Sequence, residues 1–224
     1  MRAPTRWRWN GQSPLTSRLL IATRNAGKLG ELRKLLADVP YEFVSLDDVG
    51  VGEDVEETGA TFQENAVLKA TAYCRLSGLL TLADDSGLEV DALAAEPGVH
   101  SARYAGEGAT DGDRIALLLR NLRERPTHWT ARFRCVIAIA SPGLEPQHGG
   151  SESVRTFDGR CEGEIVGEPR GDNGFGYDPV FFIPGVDKTM AELTEEGKNG
   201  ISHRSAAAGL ASDALLHGWV DQPL

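Results

Sequence analysis

Leu79-Leu80-Thr81-Leu82-Ala83-Asp84-Asp85-Ser86-Gly87 is the stretch on which the fold turns. Its apolar run is too short for a helix and reads as a buried strand over 79–83. The strand then stops against two acids and two small residues, as strands do where an open α/β sheet exposes functional side chains. Upstream, Thr61 and Glu64 match the S/T-x-x-E capping box, in which each side chain satisfies a free backbone N–H at a helix start. The helix expected over 62–77 places Phe62, Ala66, Ala70, Tyr73 and Cys74 on one face and has Gly78 as its C-terminal cap.

Farther upstream, Leu19, Leu20, Ile21 and Ala22 mark a buried strand over 18–23, and Leu29, Leu32, Leu35 and Leu36 follow at helical spacing. Residues 41–46 read as a second strand, and the acid- and glycine-rich residues 49–59 as an exposed loop. Downstream, a helix is expected over 111–125, with Thr110 as cap, Asp111 and Asp113 in its first turn and Pro126 as its stop. The alternation of Phe133, Cys135, Ile137 and Ile139 makes 131–140 a central strand, partly buried on both faces. Residues 141–153 read as a surface loop and 156–166 as a hairpin through Asp158-Gly159. A strand over 180–183 and a helix after Ser202, through Ala206, Leu210 and Leu215, complete a mixed sheet. With no repeat or linker in view, we expect one domain over 18–218, a disordered extension over 1–17 and a tail over 219–224.

A chain of 224 residues, 41% of them hydrophobic, can bury a substantial core. Its 33 acids against 23 Lys and Arg should repel a nucleic-acid backbone, so a polyanionic ligand needs a locally basic pocket. No run approaches the roughly 18 apolar residues of a membrane span. Cys74, Cys135 and Cys161 are odd in number and lack C-x-x-C spacing, which suits reduced thiols and the cytoplasm. Arg2, Arg6 and Arg8 alternate with Trp7 and Trp9 but have no apolar signal region beside them.

Thr23, Asn25 and Lys28 gather a side-chain amide, an ammonium and free backbone N–H groups at a helix start, a setting that attracts phosphate; alone, it also reads as an ordinary turn with a solvated lysine. In extended backbone Asp84 and Asp85 point to opposite faces, so one would bind metal or water and the other brace the loop. Taken in isolation, the tetrapeptide 84–87 reads as a turn with a solvated charge pair. Hard carboxylate oxygens suit Mg2+, which takes one or two of them, and Glu56 or Glu57 could supply a second. Lys198, His203 and Arg204 make a cationic set suited to phosphate or a purine edge, or a plain surface cluster. Phe175-Gly176-Tyr177-Asp178 combines two rings and a carboxylate with pliable backbone, which can stack on a base while its amides read the base edge.

Together these segments resemble the inosine triphosphate pyrophosphatase family (non-canonical purine NTP pyrophosphatases, RdgB-like) over roughly 19–216. The blocks that carry the resemblance occur in order: Thr23-x-Asn25-x-x-Lys28; Glu57-Thr58-Gly59-x-Thr61-Phe62-x-Glu64-Asn65-Ala66 with Lys69; Ala83-Asp84-Asp85-Ser86-Gly87-Leu88; Phe175-Gly176-Tyr177-Asp178; and Ser202-His203-Arg204. The stretch from Pro97 to Tyr104 is also similar to the family's. The resemblance implies an elongated α/β fold of two lobes around a central mixed sheet with flanking helices, a nucleotide cleft between the lobes, and a homodimer. It implies hydrolysis of ITP, dITP and XTP to the monophosphate and pyrophosphate with Mg2+. Thr23, Asn25, Lys28 and Lys69 would then hold the triphosphate, and Asp85 would be the metal-associated general base, with Ser86 beside it. Phe175, Gly176, Tyr177, Asp178, Lys198, His203 and Arg204 would enclose the base, and Glu56 or Glu57 would join Asp85 at the metal. The phosphate and metal residues would equally serve a pyrophosphatase for other modified nucleotides, or a regulatory module that binds without turnover.

Overall fold

The computed structural model describes residues 17–142 and 154–217. The extension expected over 1–17, apart from Ser17, the tail over 219–224, and all of the 141–153 loop beyond its first two residues lie outside the described residues. The chain runs β1 (Arg18–Ile21), α1 (Ala26–Leu35), β2 (Glu42–Ser45), α2 (Phe62–Ser77), β3 (Leu80–Val90), α3 (Asp111–Leu122), β4 (Trp129–Ala140), β5 (Val154–Ile165), β6 (Phe181–Ile183), β7 (Lys188–Thr189), α4 (Glu195–Ile201) and α5 (His203–Leu216). The strands form a single mixed α/β sheet in the order β2-β1-β3-β4-β5-β6-β7. The β1–β2 and β1–β3 pairs are parallel, and all later pairs are antiparallel.

Strand alternation sorts the core. Leu19, Ile21, Leu80, Leu82, Cys135, Ile137 and Ile139 pack with α1 and α5 residues such as Leu32 and Ala208. Leu20, Ala83, Val136 and Ala138 face α2 through Phe62, Ala66 and Ala70. A third cluster lies farther along β3 and β4, where Leu88, Val90 and Phe133 meet Ile115, Leu118 and Leu122 of α3.

Two expectations are corrected. The strand expected to end at Ala83 continues to Val90, because β4 pairs with it in register through Asp84↔Ile137, Asp85↔Val136 and Ser86↔Cys135. Only the other neighbour stops: β1 pairs with β3 no farther than Leu82, where Ala22 N donates to the Leu82 carbonyl at 2.7 Å. Nor is there a hairpin at Asp158-Gly159. Residues 154–165 are one strand lying along the whole of β4, with Gly159 opposite Cys135. The glycine serves close approach instead of a turn, since a Cβ there would overlap the His203 carbonyl and the Ala207 amide of α5.

Smaller departures have local causes. At α2 the Thr61 side chain accepts from Glu64 N at 3.1 Å, but the Glu64 carboxylate accepts from Ala60 N at 2.7 Å, so the box is not reciprocal on the cap residue itself. Reciprocal boxes occur at α3, between Thr110 and Asp113, and between Thr189 and Glu192. The short α4 and β7 are too short for periodicity to register in the sequence.

Candidate active site

The site is built where β3 loses one neighbour and keeps the other. From Asp84 to Gly87 the β1-side edge has no strand beside it, while β4 holds the backbone extended, so consecutive side chains reach opposite faces from a rigid strand. Asp84 shares the parity of Leu80 and Leu82 and points toward α1 and α5. Its Oδ2 lies 3.0 Å from Lys28 Nζ and 3.5 Å from Arg204 Nε, and accepts from Ser86 Oγ at 3.3 Å. Burial alone would raise the Asp84 pKa, but Lys28, Arg204 and Lys69 outweigh it and hold the carboxyl well below the usual range.

Asp85 shares the parity of Ala83 and points toward α2. Its Oδ1 lies 3.3 Å from Lys69 Nζ, and Asn65 Nδ2 donates to its Oδ2 at 3.1 Å. Burial pushes the Asp85 carboxyl above its ordinary value, with Lys69 opposing and Glu57 adding to the rise. Lys69 also reaches Glu57 at 2.6 Å, and Arg103 lies 3.6 Å from the other Glu57 oxygen. One ammonium thus sits between two carboxylates. Burial would lower the Lys69 pKa, but Asp85, Asp84 and Glu57 raise it further and keep it charged.

The second half of the site comes from α4, α5 and the segment before β6. Lys198 Nζ lies 2.6 Å from Asp178 and 2.8 Å from Glu31 of α1. Glu31 also receives Arg204, whose Nη2 donates to Ser86 Oγ at 2.9 Å. These contacts form an unbroken run from Lys28 through Asp84, Arg204, Glu31 and Lys198 to Asp178, tying α1 and β3 to the segment before β6. Phe175 lies under both cations, its ring centre 4.8 Å from Lys198 Nζ and 5.6 Å from the Arg204 guanidinium carbon. His203 stacks on Phe133 with centroids 4.8 Å apart. Burial, then Arg204, Lys198 and Lys28, push its pKa well below the ordinary histidine value, so the ring is neutral. Its Nδ1 is buried without a partner.

A cavity brings most of the expected residues together. Asn25, Lys28, Glu57, Asp85 and Ser86 line it, as do Phe175, Gly176, Tyr177, Asp178, Lys198, His203 and Arg204. Thr23, Lys69 and Glu56 do not. Thr23 Oγ1 accepts from Asn25 N at 3.2 Å and shapes the turn, while Asn25 caps α1 by accepting from Lys28 N at 3.0 Å. Lys69 stands behind Asp85 and Glu57, and Glu56 is exposed. Tyr177 is a core residue at its ring, 4% exposed, with its hydroxyl donating to the Ser101 carbonyl at 3.0 Å. The amides of Phe175 and Gly176 are already engaged, by Asp178 Oδ2 at 3.0 Å and Asp111 Oδ2 at 2.7 Å.

Three contributors escaped the sequence reading. Glu31 had a signal, since it stands three residues after Lys28 and so on the same side of α1. Asp111 and Arg114 line the cavity from α3, but at the start of a helix an acid reads as a capping charge. Among the described residues no group of three or more His, Cys, Asp or Glu could hold a metal ion; Asp85 and Glu57 are two carboxylates that share the Lys69 ammonium. No helix among the described residues is long and apolar enough to cross a membrane.

A Ham1 family model matches residues 19–213. The dITP/XTP pyrophosphatase of Geobacter sulfurreducens is 48% identical over 204 residues, covering 91% of this chain and 98% of that protein. The dITP/XTP pyrophosphatase of Bacillus subtilis is 47% identical over 197 residues, covering 88% and 96%. Among solved structures, a HAM1 protein from Coxiella burnetii superposes with a TM-score of 0.81 at 42% identity, covering 90% of this chain and 99% of that one.

Proposed function

The chain belongs to the Ham1 family, and from that premise we propose that it hydrolyses the non-canonical purine nucleoside triphosphates ITP, dITP and XTP to the monophosphate and pyrophosphate. The observation that carries this reading is the shared cavity: Lys28 and Asp85, from α1 and β3, line it together with Phe175, Lys198 and Arg204. A phosphate-binding ammonium, a carboxylate base and a ring flanked by cations are what a nucleotide pyrophosphatase needs within one ligand's reach.

In this reading Asn25 and Lys28 hold the triphosphate at the start of α1, with Thr23 setting their turn. Asp85, oriented by Asn65 and Lys69, takes a proton from a water that attacks the α-phosphorus. The new P–O bond forms as the bond to the bridging oxygen breaks, and pyrophosphate leaves. Lys28 offsets the charge that builds on the phosphates, while Lys69, behind the cavity between Asp85 and Glu57, holds the carboxylates in place. Asp85 and Glu57 suit Mg2+, because they are hard oxygen donors already gathered around one cation, the Lys69 ammonium, and Mg2+ takes only one or two protein carboxylates. When bound, Mg2+ supplies charge neutralisation at the phosphates. Exposure of Glu56 outside the cavity supports Glu57 as the second ligand.

Phe175 offers its face to the base. Lys198 and Arg204 offer donors to a 6-oxo group, whereas a 6-amino group would leave donors facing donors. Homodimerisation and a cytoplasmic location complete the proposal, and three buried, unpaired cysteines support a reducing compartment. The test is pyrophosphate release from ITP, XTP, ATP and GTP with and without Mg2+. Turnover of ITP and XTP is expected to require the ion and to exceed that of ATP in kcat/KM. Equal kcat/KM for ITP and ATP would refute the base reading, and turnover untouched by chelation would refute the metal.

A further inference from the structure

The backbone that carries Phe175 is held at two amides, that of Phe175 by Asp178 and that of Gly176 by a residue given no role above. Gly176 lies at φ +65°, and its N–H donates to Asp111 Oδ2 at 2.7 Å. Asp111 opens α3, 65 residues earlier in the chain, and its other oxygen is paired with Arg114. Arg114 in turn donates to the carbonyls of Ala102 at 3.0 Å and Ala109 at 2.7 Å, so the carboxylate is held in place from below. Asp111 and Arg114 both line the cavity. The helix does not require Asp111, because Thr110 and Asp113 complete its capping box without it.

We propose that Asp111, oriented by Arg114, is a positioning residue for nucleotide binding: by holding the Gly176 amide it sets the Phe175 ring against Lys198 and Arg204. This rests on the functional reading above and deepens its base-binding half. A charged acceptor on a backbone N–H is among the stronger hydrogen bonds, and its loss frees a backbone whose left-handed glycine has many alternatives. The reacting phosphate is bound by other elements, so the effect belongs in substrate affinity and not in the chemical step.

The test compares Asp111→Ala with Asp113→Asn, which weakens the same helix start without touching Gly176. Asp111→Ala is expected to raise KM for ITP about tenfold with kcat within about twofold, as loss of one charge-assisted bond implies. Asp113→Asn is expected to lower Tm and leave KM unchanged. Equal rises in KM for the two variants would overturn the proposal in favour of simple helix loss. Amide hydrogen exchange over 172–180 supplies a second readout, expected to quicken in Asp111→Ala only. Unchanged exchange there overturns the proposal whichever nucleotides are turned over, and a wild type that releases no pyrophosphate overturns the functional reading instead.

Discussion

Asp84 and Asp85 are the same residue type at adjacent positions of one strand, yet they occupy opposite electrostatic settings. Asp84 has no exposed side-chain surface and is ringed by Lys28 and Arg204, so its charge is locked on. Asp85 opens onto the cavity with one ammonium and one amide, and burial raises its pKa. Pleating alone separates them, since neighbouring side chains leave a strand on opposite faces. The first joins elements into a site, and the second faces the cavity with its pKa raised.

Substituting each in turn should break that comparison. Asp84→Asn leaves Lys28 and Arg204 without their shared counter-charge and should cost about 3 kcal/mol in urea unfolding, the low end for a broken buried pair because Arg204 keeps Glu31. The same change at Asp85 should cost less stability, because Lys69 keeps Glu57. Its effect should fall on turnover, a loss of about 100-fold or more with nucleotide binding retained; near-normal turnover would remove Asp85 from the role of base. Asn65→Ala deprives Asp85 of one orienting bond and should lower kcat about tenfold with little change in KM. If KM moves instead, Asn65 serves the substrate and not the base.

The smallest effect is in acid, where the two carboxylates should act with opposite sign. The Asp84 pKa is lowered on folding, so below the ordinary value of about 3.9 the unfolded chain takes up a proton that the folded protein refuses. The stability that Asp84 contributes is present above that value and fades as pH falls toward its folded pKa. The Asp85 pKa is raised, so the folded protein takes the proton first and the cost of burying that charge is relieved just above the ordinary carboxylate range. Unfolding free energy measured between pH 3 and 7 should therefore fall less steeply with acid in Asp84→Asn than in wild type. In Asp85→Asn it should fall more steeply, by about 1 kcal/mol or less across that range. Parallel profiles for the two variants would erase the distinction.

Much of this was legible in local pattern. The face of α2, its Thr61 and Gly78 ends, the central position of β4 and the opposed directions of Asp84 and Asp85 all follow from periodicity and capping chemistry acting over a few residues. Sequence and structure part where a distant element decides the outcome. Asp158-Gly159 has the composition of a turn, but α5 presses on that glycine and β4 pairs along the whole segment. Asp84 to Gly87 has the composition of a strand end, but β4 continues beside it after β1 has stopped.

The amino-acid sequence by itself determined the mixed sheet, the helix faces and the motifs that identify the family, because these depend on residue type and short spacing. Only the tertiary structure decided that Asp84 is sealed between Lys28 and Arg204 while Asp85 faces the cavity. It alone bound Glu31 to Lys198 and Arg204, and Asp111 to the amide before Tyr177. The physical reason is range. Propensity and periodicity act within a few residues of a chain, whereas an ion pair or a backbone contact forms between whatever groups folding brings within about 3 Å, however far apart they lie in sequence.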